Sequence, residues 1–343
     1  MDILTGLDHG TEYSETKLQL ILGAWVMATL FESGKSKVSL EDGDIDEDDY
    51  TKQSIYSLLY AIYSSLGEIR TETGKLYELT FNTWGYSWPT AWDEPKWRDD
   101  PQRFGMNAYA GLFEFDPVKQ YIDDRDGEVH VVEMGCGTGA GAHHICKNVL
   151  SKCTYEAVDM QQAAIQTCLR KFVPELGTRL KATRADATRL NIDDGVADFV
   201  AVCETHVTEH AGECGDEDER FFRTVHRLLK PGGFLVWGNA IPDSTWEPCF
   251  EFLSSIGMKK RVVRDVTEQA VAARDEDAQR VHAFVDQAIN RFVGFRIPFI
   301  GRKRRSEAEL AMKNFYRNPG TNLYRNMTDG TDTYKVALFE KTA

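Results

Sequence analysis

The chain has 343 residues, enough for one large α/β domain and a smaller companion. With 42% hydrophobic, 11% aromatic and 27% charged residues it has the composition of an ordinary globular protein, which argues against fibrous or largely disordered structure. A formal net charge of -14 argues against a nucleic-acid partner, because binding to phosphates rests largely on Lys and Arg.

Cysteine usage and the apolar runs predict a cytoplasmic protein. The seven cysteines are odd in number and scattered, with no C-x-x-C pair, and the acidic amino terminus lacks a signal-peptide pattern. The apolar run at residues 18–31 is too short for a membrane span. We therefore expect no membrane partner, interpret this run as a buried or subunit-contact helix, and expect a homodimer.

Residues 1–110 are interpreted as an N-terminal helical domain. Helical spacing at residues 15–32 is followed by an acidic loop at 41–49 and a second helical pattern at 55–66. The domain ends in a Trp-rich segment, 81–104, which is costly to leave in water. That segment is expected to be a lid over a ligand or a subunit contact.

From residue 128 the pattern changes to alternating strands and helices, which predicts a mostly parallel, doubly wound α/β sheet within a domain of residues 111–343. The long interval 267–333 exceeds an ordinary connection and has helical spacing, so we expect a helical cap insertion there. The predicted strands are residues 129–134, 154–159, 180–185, 199–203, 234–237, 261–266 and 334–339.

A glycine-rich loop follows the first of these strands. Gly135, Gly137 and Gly139 precede a helix, so backbone amides and a helix N-terminus would face a bound ligand. With Ala140 the loop also fits the dinucleotide pattern G-x-G-x-x-A, so the glycines alone leave the cofactor open. The carboxylate of Glu133 would repel the negative charge of a pyrophosphate, but it can accept a hydrogen bond from the ammonium of a methionine moiety.

Polar residues also follow the next three predicted strands. Asp159 ends the second strand and is placed to bind both ribose hydroxyls, a feature that several nucleotide-binding families share. Asp186 follows the third strand and suits an adenine amino group. The fourth strand ends in Cys203 and Glu204, and the Lys-Pro-Gly-Gly turn within residues 228–235 joins a helix to the fifth strand.

The order and spacing of these motifs resemble the class I S-adenosylmethionine-dependent methyltransferases across residues 128–341. The resemblance implies a seven-stranded Rossmann-like sheet, S-adenosylmethionine as the cofactor, S-adenosylhomocysteine as its product, and no metal. Cys136 and Met134 are interpreted mainly as spacing and packing residues. The cofactor-binding residues implied are Glu133, Gly135, Cys136, Gly137, Gly139, Asp159, Met160, Asp186, Ala187, Cys203 and Glu204.

The segment 81–88, Phe-Asn-Thr-Trp-Gly-Tyr-Ser-Trp, resembles the aromatic segment that precedes the core of methyltransferases acting on small molecules. Together with residues 318–320, Tyr324 and the cap, the whole chain looks similar to the methylthiohydroxybutyrate S-methyltransferases (the DsyB type) of dimethylsulfoniopropionate synthesis. That resemblance implies methyl transfer to the sulfur of 4-methylthio-2-hydroxybutyrate. A thioether already carries its nucleophilic lone pair, so in-line placement suffices without a general base.

The candidate catalytic residues are Tyr86 and His206. Aromatic faces tolerate the cationic donor and the sulfonium product, and an arginine such as Arg325 could bind the acceptor's carboxylate with a bidentate fork. The predicted substrate-binding residues are Tyr86, Trp88, His206, Arg296, Arg317 and Tyr324.

Other functions stay open. His206 could be the base of an O- or C-methyltransferase acting on a phenolic, polyketide or isoprenoid acceptor. With Glu209 and His210 it could instead belong to a metal site, although a further well-spaced ligand is missing. Arsenite methylation is disfavoured because the cysteines lack paired spacing, and a non-catalytic binding protein is disfavoured by the intact cofactor motifs.

Overall fold

The computed structural model describes residues 59–60, 62–63, 66–71, 73–91, 93–205, 212–292 and 298–342. Its strands are β1 Glu68–Arg70, β2 Leu76–Glu78, β3 Val129–Met134, β4 Cys153–Asp159, β5 Leu180–Arg184, β6 Ala197–Cys203, β7 Leu229–Pro242, β8 Met258–Asp265 and β9 Asp332–Lys341.

Helices lie before and between these strands in the chain. They are α1 Arg103–Gly111, α2 Asp116–Asp123, α3 Ala140–His144, α4 Gln162–Lys171, α5 Val173–Leu176, α6 Asp216–Leu228, α7 Asp243–Ser255, α8 Thr267–Phe292, α9 Pro298–Phe315 and α10 Asn322–Thr328. A π-helical turn at Ile145–Val149 extends α3. In the part of the chain covered by these elements, no helix combines the length and apolar character that a membrane crossing requires.

The central sheet has seven strands in the order β5-β4-β3-β6-β7-β9-β8. Strands β3 to β7 run parallel, whereas β9 is antiparallel to both β7 and β8. The predicted doubly wound, seven-stranded α/β sheet is thus confirmed, and every predicted strand lies on an observed one. The chain moves outward from β3 to β5 and then returns to β6 beside β3. This reversal creates a crevice at the carboxyl ends of β3 and β6, where open α/β sheets bind ligands.

Apolar layers cover both faces of the sheet. Because successive side chains of a strand point to opposite faces, Val131 of β3 packs in the layer that includes Tyr109 of α1, and Val132 packs in the layer with Phe222 of α6. Strands buried on both faces read as continuous hydrophobic runs, as β6 does from Ala197 to Cys203.

The predicted helical cap corresponds to α8, α9 and α10, which lie between β8 and β9. Helical spacing predicted one apolar face on α8, and its residues Val281, Phe284, Val285 and Ile289 are all buried. They pack with α9 and with the helical residues Leu59, Tyr60, Ile62 and Tyr63 in a further core.

The predicted N-terminal helical domain differs from the structure where it is described. Residues 68–70 and 76–78 form an antiparallel pair of short strands, β1 and β2, within the interval interpreted as a helical domain. The helical pattern at 15–32 and the acidic loop at 41–49 lie outside the described residues.

Candidate active site

The glycine loop after β3 has the tight geometry expected for a ligand cradle. Gly135, Gly137 and Gly139 have φ values of 85°, 54° and 82°, in the left-handed region that glycine enters freely. A Cβ atom at Gly135 would lie 2.1 Å from Oγ1 of Thr205, the residue that follows Glu204 at the end of β6. The loop therefore requires glycine for its conformation and for the approach of the neighbouring strand end.

Asp159 ties the end of β4 to this glycine loop. Its carboxylate accepts hydrogen bonds from the backbone amides of Gly137 and Gln161, both at 2.8 Å. Burial raises the pKa of Asp159 to about 6, against the opposing effect of these amides. The next side chain, Met160, is 42% exposed at the same edge of the sheet and offers an apolar surface to a ligand.

Glu133 is a fully buried carboxyl at the end of β3. Neither of its oxygens has a hydrogen-bond partner among the described residues. Burial raises its pKa to about 7, and the hydroxyls of Tyr109 and Tyr155 oppose the rise without reaching hydrogen-bond geometry. An unpaired buried acid is costly, so this position calls for a cationic or hydrogen-bond-donating ligand.

Asp186 and Ala187 follow β5 at the same edge of the sheet. Asp186 is exposed and accepts hydrogen bonds from the backbone amide and the hydroxyl of Thr188, both at 2.8 Å. Its carboxylate thus shapes its own turn. Cys136, in the glycine loop, is buried, and burial raises the pKa of its thiol, as expected for a packing residue.

Glu204 fastens the aromatic segment 81–88 to the end of β6, next to the buried Cys203. The backbone amides of Trp84 and Gly85 donate to its two carboxylate oxygens, at 2.6 and 2.7 Å, and the Tyr334 hydroxyl donates at 2.8 Å. Burial raises the pKa of Glu204 and the two amides oppose the rise. The predicted cofactor ligand Glu204 therefore uses its carboxylate to hold the aromatic segment.

Tyr86 lies completely buried at this strand end. Its ring meets Tyr334 edge-on at a centroid distance of 5.4 Å, and its hydroxyl has no partner among the described residues. Burial, and next the neighbouring Cys203, raise the pKa of Tyr86 above its ordinary value of 10.0. The phenol therefore stays protonated and can donate a hydrogen bond.

The other predicted substrate residues are dispersed. The Trp88 indole donates to the Asp93 carbonyl at 2.6 Å, and the Tyr324 hydroxyl donates to Asp275 at 2.7 Å on the outside of the cap. Trp88 is thus hydrogen-bonded within its own segment, and Tyr324 is hydrogen-bonded to α8. His206, Arg296, Glu209 and His210 lie outside the described residues. Within the described ranges no group of three metal-ligating side chains comes together.

Arg317 is buried beside the aromatic segment, with 4% of its surface exposed. It donates to Asp332 at 2.7 Å and to the Ala240 carbonyl at 3.2 Å, and its guanidinium lies 4.4 Å from the centre of the Trp84 ring. Both terminal nitrogens are thus engaged, and only Nε lacks a partner among the described residues. Its predicted role as a carboxylate ligand stays a prediction. In the structure it links Asp332 to the Trp84 ring.

Sequence reasoning missed Arg274, a residue of α8 that touches the same segment. Its guanidinium donates to the Trp84 carbonyl and is 3% exposed. The available signal was spacing: Arg274 and Asp277 interrupt the stripe that runs from Ala270 to Val281, where a buried helix face is expected to be apolar.

Comparison with known proteins agrees with this geometry. Residues 132–237 match the family described as a methyltransferase domain. The chain is 25% identical over 266 residues to a phthiotriol/phenolphthiotriol dimycocerosates methyltransferase of Mycobacterium tuberculosis. The alignment covers 77% of this chain and 86% of the relative. It is 23% identical over 180 residues to a fatty-acid O-methyltransferase of Mycolicibacterium smegmatis. That alignment covers 52% of this chain and 62% of the relative.

A solved structure shares the fold. The crystal structure of a putative sarcosine dimethylglycine methyltransferase from Galdieria sulphuraria superposes with a TM-score of 0.52 at 10% identity, over 84% of this chain and 98% of the other. The matched domain, the relatives and the strand order β5-β4-β3-β6-β7-β9-β8 support a class I S-adenosylmethionine-dependent methyltransferase.

Proposed function

We propose that the chain transfers a methyl group from S-adenosylmethionine to the sulfur of a thioether carboxylic acid, 4-methylthio-2-hydroxybutyrate. The observation that supports this acceptor most directly is the state of Tyr86, the predicted catalytic residue in the described part of the chain. A buried phenol with a raised pKa cannot take up a proton, but it can donate a hydrogen bond. That suits a thioether, which needs no deprotonation before it attacks.

The cofactor is assigned to the glycine loop and its neighbours. The left-handed turns at Gly135 and Gly137 form a tight loop of backbone amides at the end of β3, and the unpaired carboxyl of Glu133 fits the ammonium of a methionine moiety. We assign Asp159 to the ribose, and Met160, Asp186 and Ala187 to the adenine. The bound cofactor supplies an electrophilic methyl group on a sulfonium.

The acceptor is assigned to the side of the crevice formed by the aromatic segment. Trp84, Tyr86 and Tyr334 surround the end of β6 and would exclude water from the reacting atoms. Aromatic faces stabilise cations, and the product of thioether methylation is a permanent cation. The Arg317 guanidinium over the Trp84 ring is a cation already held this way.

The test is a transfer assay with methyl-labelled S-adenosylmethionine. The acceptors are 4-methylthio-2-hydroxybutyrate, methionine, a phenol and a long-chain fatty acid, the last included because one relative is named a fatty-acid O-methyltransferase. We expect label in a product of the thioether acid that binds a cation exchanger even at high pH, as a sulfonium must. Turnover of the phenol or the fatty acid, with none of the thioether acid, would overturn the proposal.

A conservative variant tests the role of Tyr86. Tyr86→Phe keeps the ring packed against Tyr334 and removes the hydroxyl, so kcat/KM for the acceptor should fall about tenfold, the value of one hydrogen bond. Tyr121→Phe is the control, because the Tyr121 hydroxyl donates to Asp198 outside the site at 2.8 Å. Equal kcat/KM in the Tyr86 variant and the wild type would restrict Tyr86 to packing.

The predicted homodimer and cytoplasmic location belong to the same proposal. Light scattering of the purified chain tests the dimer, and a measured mass of about 39 kDa, equal to one chain of 38.9 kDa, would reject it. Fractionation of the producing cells tests the location.

A further inference from the structure

The peptide group between Trp84 and Gly85, with the amide of Trp84, is held from two sides. Glu204 accepts hydrogen bonds from both amides, at 2.6 and 2.7 Å, and Arg274 donates to the carbonyl of Trp84. We name this arrangement, formed by Glu204, Arg274 and the backbone between them, the peptide clamp. A carboxylate at the donors and a guanidinium at the acceptor are the strong, charge-assisted form of a backbone hydrogen bond.

The clamp joins two parts of the molecule that are distant in sequence. Glu204 follows β6 in the central sheet, whereas Arg274 belongs to α8 in the cap. A second backbone contact lies beside it, since the amide of Ser87 donates to the carbonyl of Gln269 at 3.0 Å. The aromatic segment is therefore the layer through which α8 is attached to the ligand-binding end of the sheet.

Arg274 is an expensive residue to bury. It is 3% exposed and its Nε has no partner among the described residues. The nearest acid on its own helix, Asp277, is 3.6 Å away and is engaged by both Nε and Nη2 of Arg280, at 2.6 and 2.5 Å. A buried ion pair contributes little net stability, so stability alone gives weak reason for a guanidinium at this position.

Backbone strain lies on the other side of the clamp. Glu204 has a φ of 47°, which is unfavourable for a residue with a side chain. Such strain costs about 1–3 kcal/mol and is tolerated mainly where function requires a fixed geometry. Here it aims the carboxylate at the two amides of the aromatic segment.

We propose that Arg274 is a positioning residue for methyl transfer, which holds the aromatic segment against the acceptor side of the crevice through the Trp84 carbonyl. This inference rests on the proposed function for the identity of the acceptor. Arg274 acts on the segment and not on the glycine loop, so its loss should weaken acceptor use while donor binding is retained.

The experiment uses the full chain with Arg274→Met, and Arg274→Lys as the variant that keeps a charge and one donor. Hydrogen exchange of a peptide covering residues 81–88 reports the clamp directly, because its amides are the ones that Glu204 holds. We expect at least tenfold faster exchange in Arg274→Met, partial recovery in Arg274→Lys, and kcat/KM for the acceptor lowered about tenfold, the effect of one charged hydrogen bond. The dissociation constant of S-adenosylmethionine should change less than about twofold.

Gln269→Ala is the matched control, since Gln269 lies on the same helix and contacts the segment only through its main-chain carbonyl among the bonds described. It should leave exchange of residues 81–88 unchanged. Wild-type exchange in Arg274→Met, with or without a lower melting temperature, would overturn the inference, as would an equal loss of donor binding. If the thioether acid is not an acceptor, the proposed function fails, while exchange and donor binding still decide the role of Arg274.

Discussion

We expect the buried, unpaired Glu133 to make the affinity for S-adenosylmethionine depend on pH. We assign this carboxyl to the ammonium of the cofactor. The ammonium binds the charged carboxylate more tightly than the neutral acid. Since the pKa of free Glu133 is raised to about 7, much of the protein carries the neutral form below neutrality. Binding therefore has to remove a proton, and the affinity should rise with pH until the group is charged.

The size of the effect follows from the pKa of about 7. At pH 6 about one molecule in eleven carries the carboxylate and at pH 7 about one in two, so the dissociation constant should be roughly fivefold lower at pH 7. Asp159, with a pKa of about 6, adds a factor of roughly two over the same interval if it too must be charged. Both pH values lie below the ordinary pKa of an α-amino group, about 8, so the ammonium of the cofactor stays charged at both.

Calorimetric titration at pH 6 and pH 7, in buffers of different ionisation enthalpy, measures both the affinity and the protons released. Glu133→Gln should bind more weakly and lose the fivefold dependence, leaving at most the contribution of Asp159. Glu156→Gln is the control, because Glu156 lies on the neighbouring strand and accepts hydrogen bonds from Lys181 and Thr183. Equal affinities at the two pH values, without proton release, would refute the assignment of Glu133 to the ammonium.

The same carboxyl also links pH to stability in the absence of ligand. A folded-state pKa raised from 4.5 to about 7 means that the folded protein binds the proton more tightly than the unfolded chain. Its contribution is fully present below pH 4.5 and is lost as the pH rises through 7. Between pH 5 and 7.5 the free energy of unfolding should fall by about 2 kcal/mol more in the wild type than in Glu133→Gln. Urea unfolding at the two pH values measures this, and parallel changes in both proteins would contradict it.

Two further tests, one of them with a control substitution, concern Gly85 in the aromatic segment and the ion pair of Arg317 beside it. Gly85→Ala should lower the melting temperature severely and remove activity, since its Cβ would lie 1.9 Å from the Phe104 carbonyl oxygen at a φ of +66°. Gly330→Ala, with a φ of +80° after the end of α10 and open space around its Cβ, should cost only about 1–2 kcal/mol, and equal shifts in the two variants would contradict the steric argument. Asp332→Asn leaves the buried Arg317 without its counter-charge and should cost about 3 kcal/mol in urea unfolding, whereas an unchanged midpoint would show that Arg317 is compensated elsewhere.

The central sheet could be predicted because β3, β6 and most of β7 are continuous hydrophobic runs, and helical patterns separate the strands. The hairpin of β1 and β2 could not, since strands of three residues are too short to show a period of two. The glycine loop and Asp159 follow from local sequence in the same way, as residues at strand ends.

The clamp lies beyond such local signals. A charged residue in a helix is expected at the surface, so the position of Arg274 within the apolar stripe of α8 was a weak sign of burial and gave no indication of its partner. Only the fold brings it to a carbonyl 190 positions earlier in the chain. Glu204 could be placed near the crevice from its strand, but its partners, two amides of the aromatic segment, are a property of tertiary structure.

Because the clamp forms hydrogen bonds with backbone groups only, it does not depend on which side chains the segment carries. The anchoring of the segment can therefore be inherited unchanged while the side chains at positions 82, 84 and 86 diversify, provided that position 85 stays glycine. Enzymes built this way can acquire new acceptors by exchanging a few side chains on a fixed main chain. A library that varies those three positions among side chains of similar size should consequently contain folded members with altered acceptor preference.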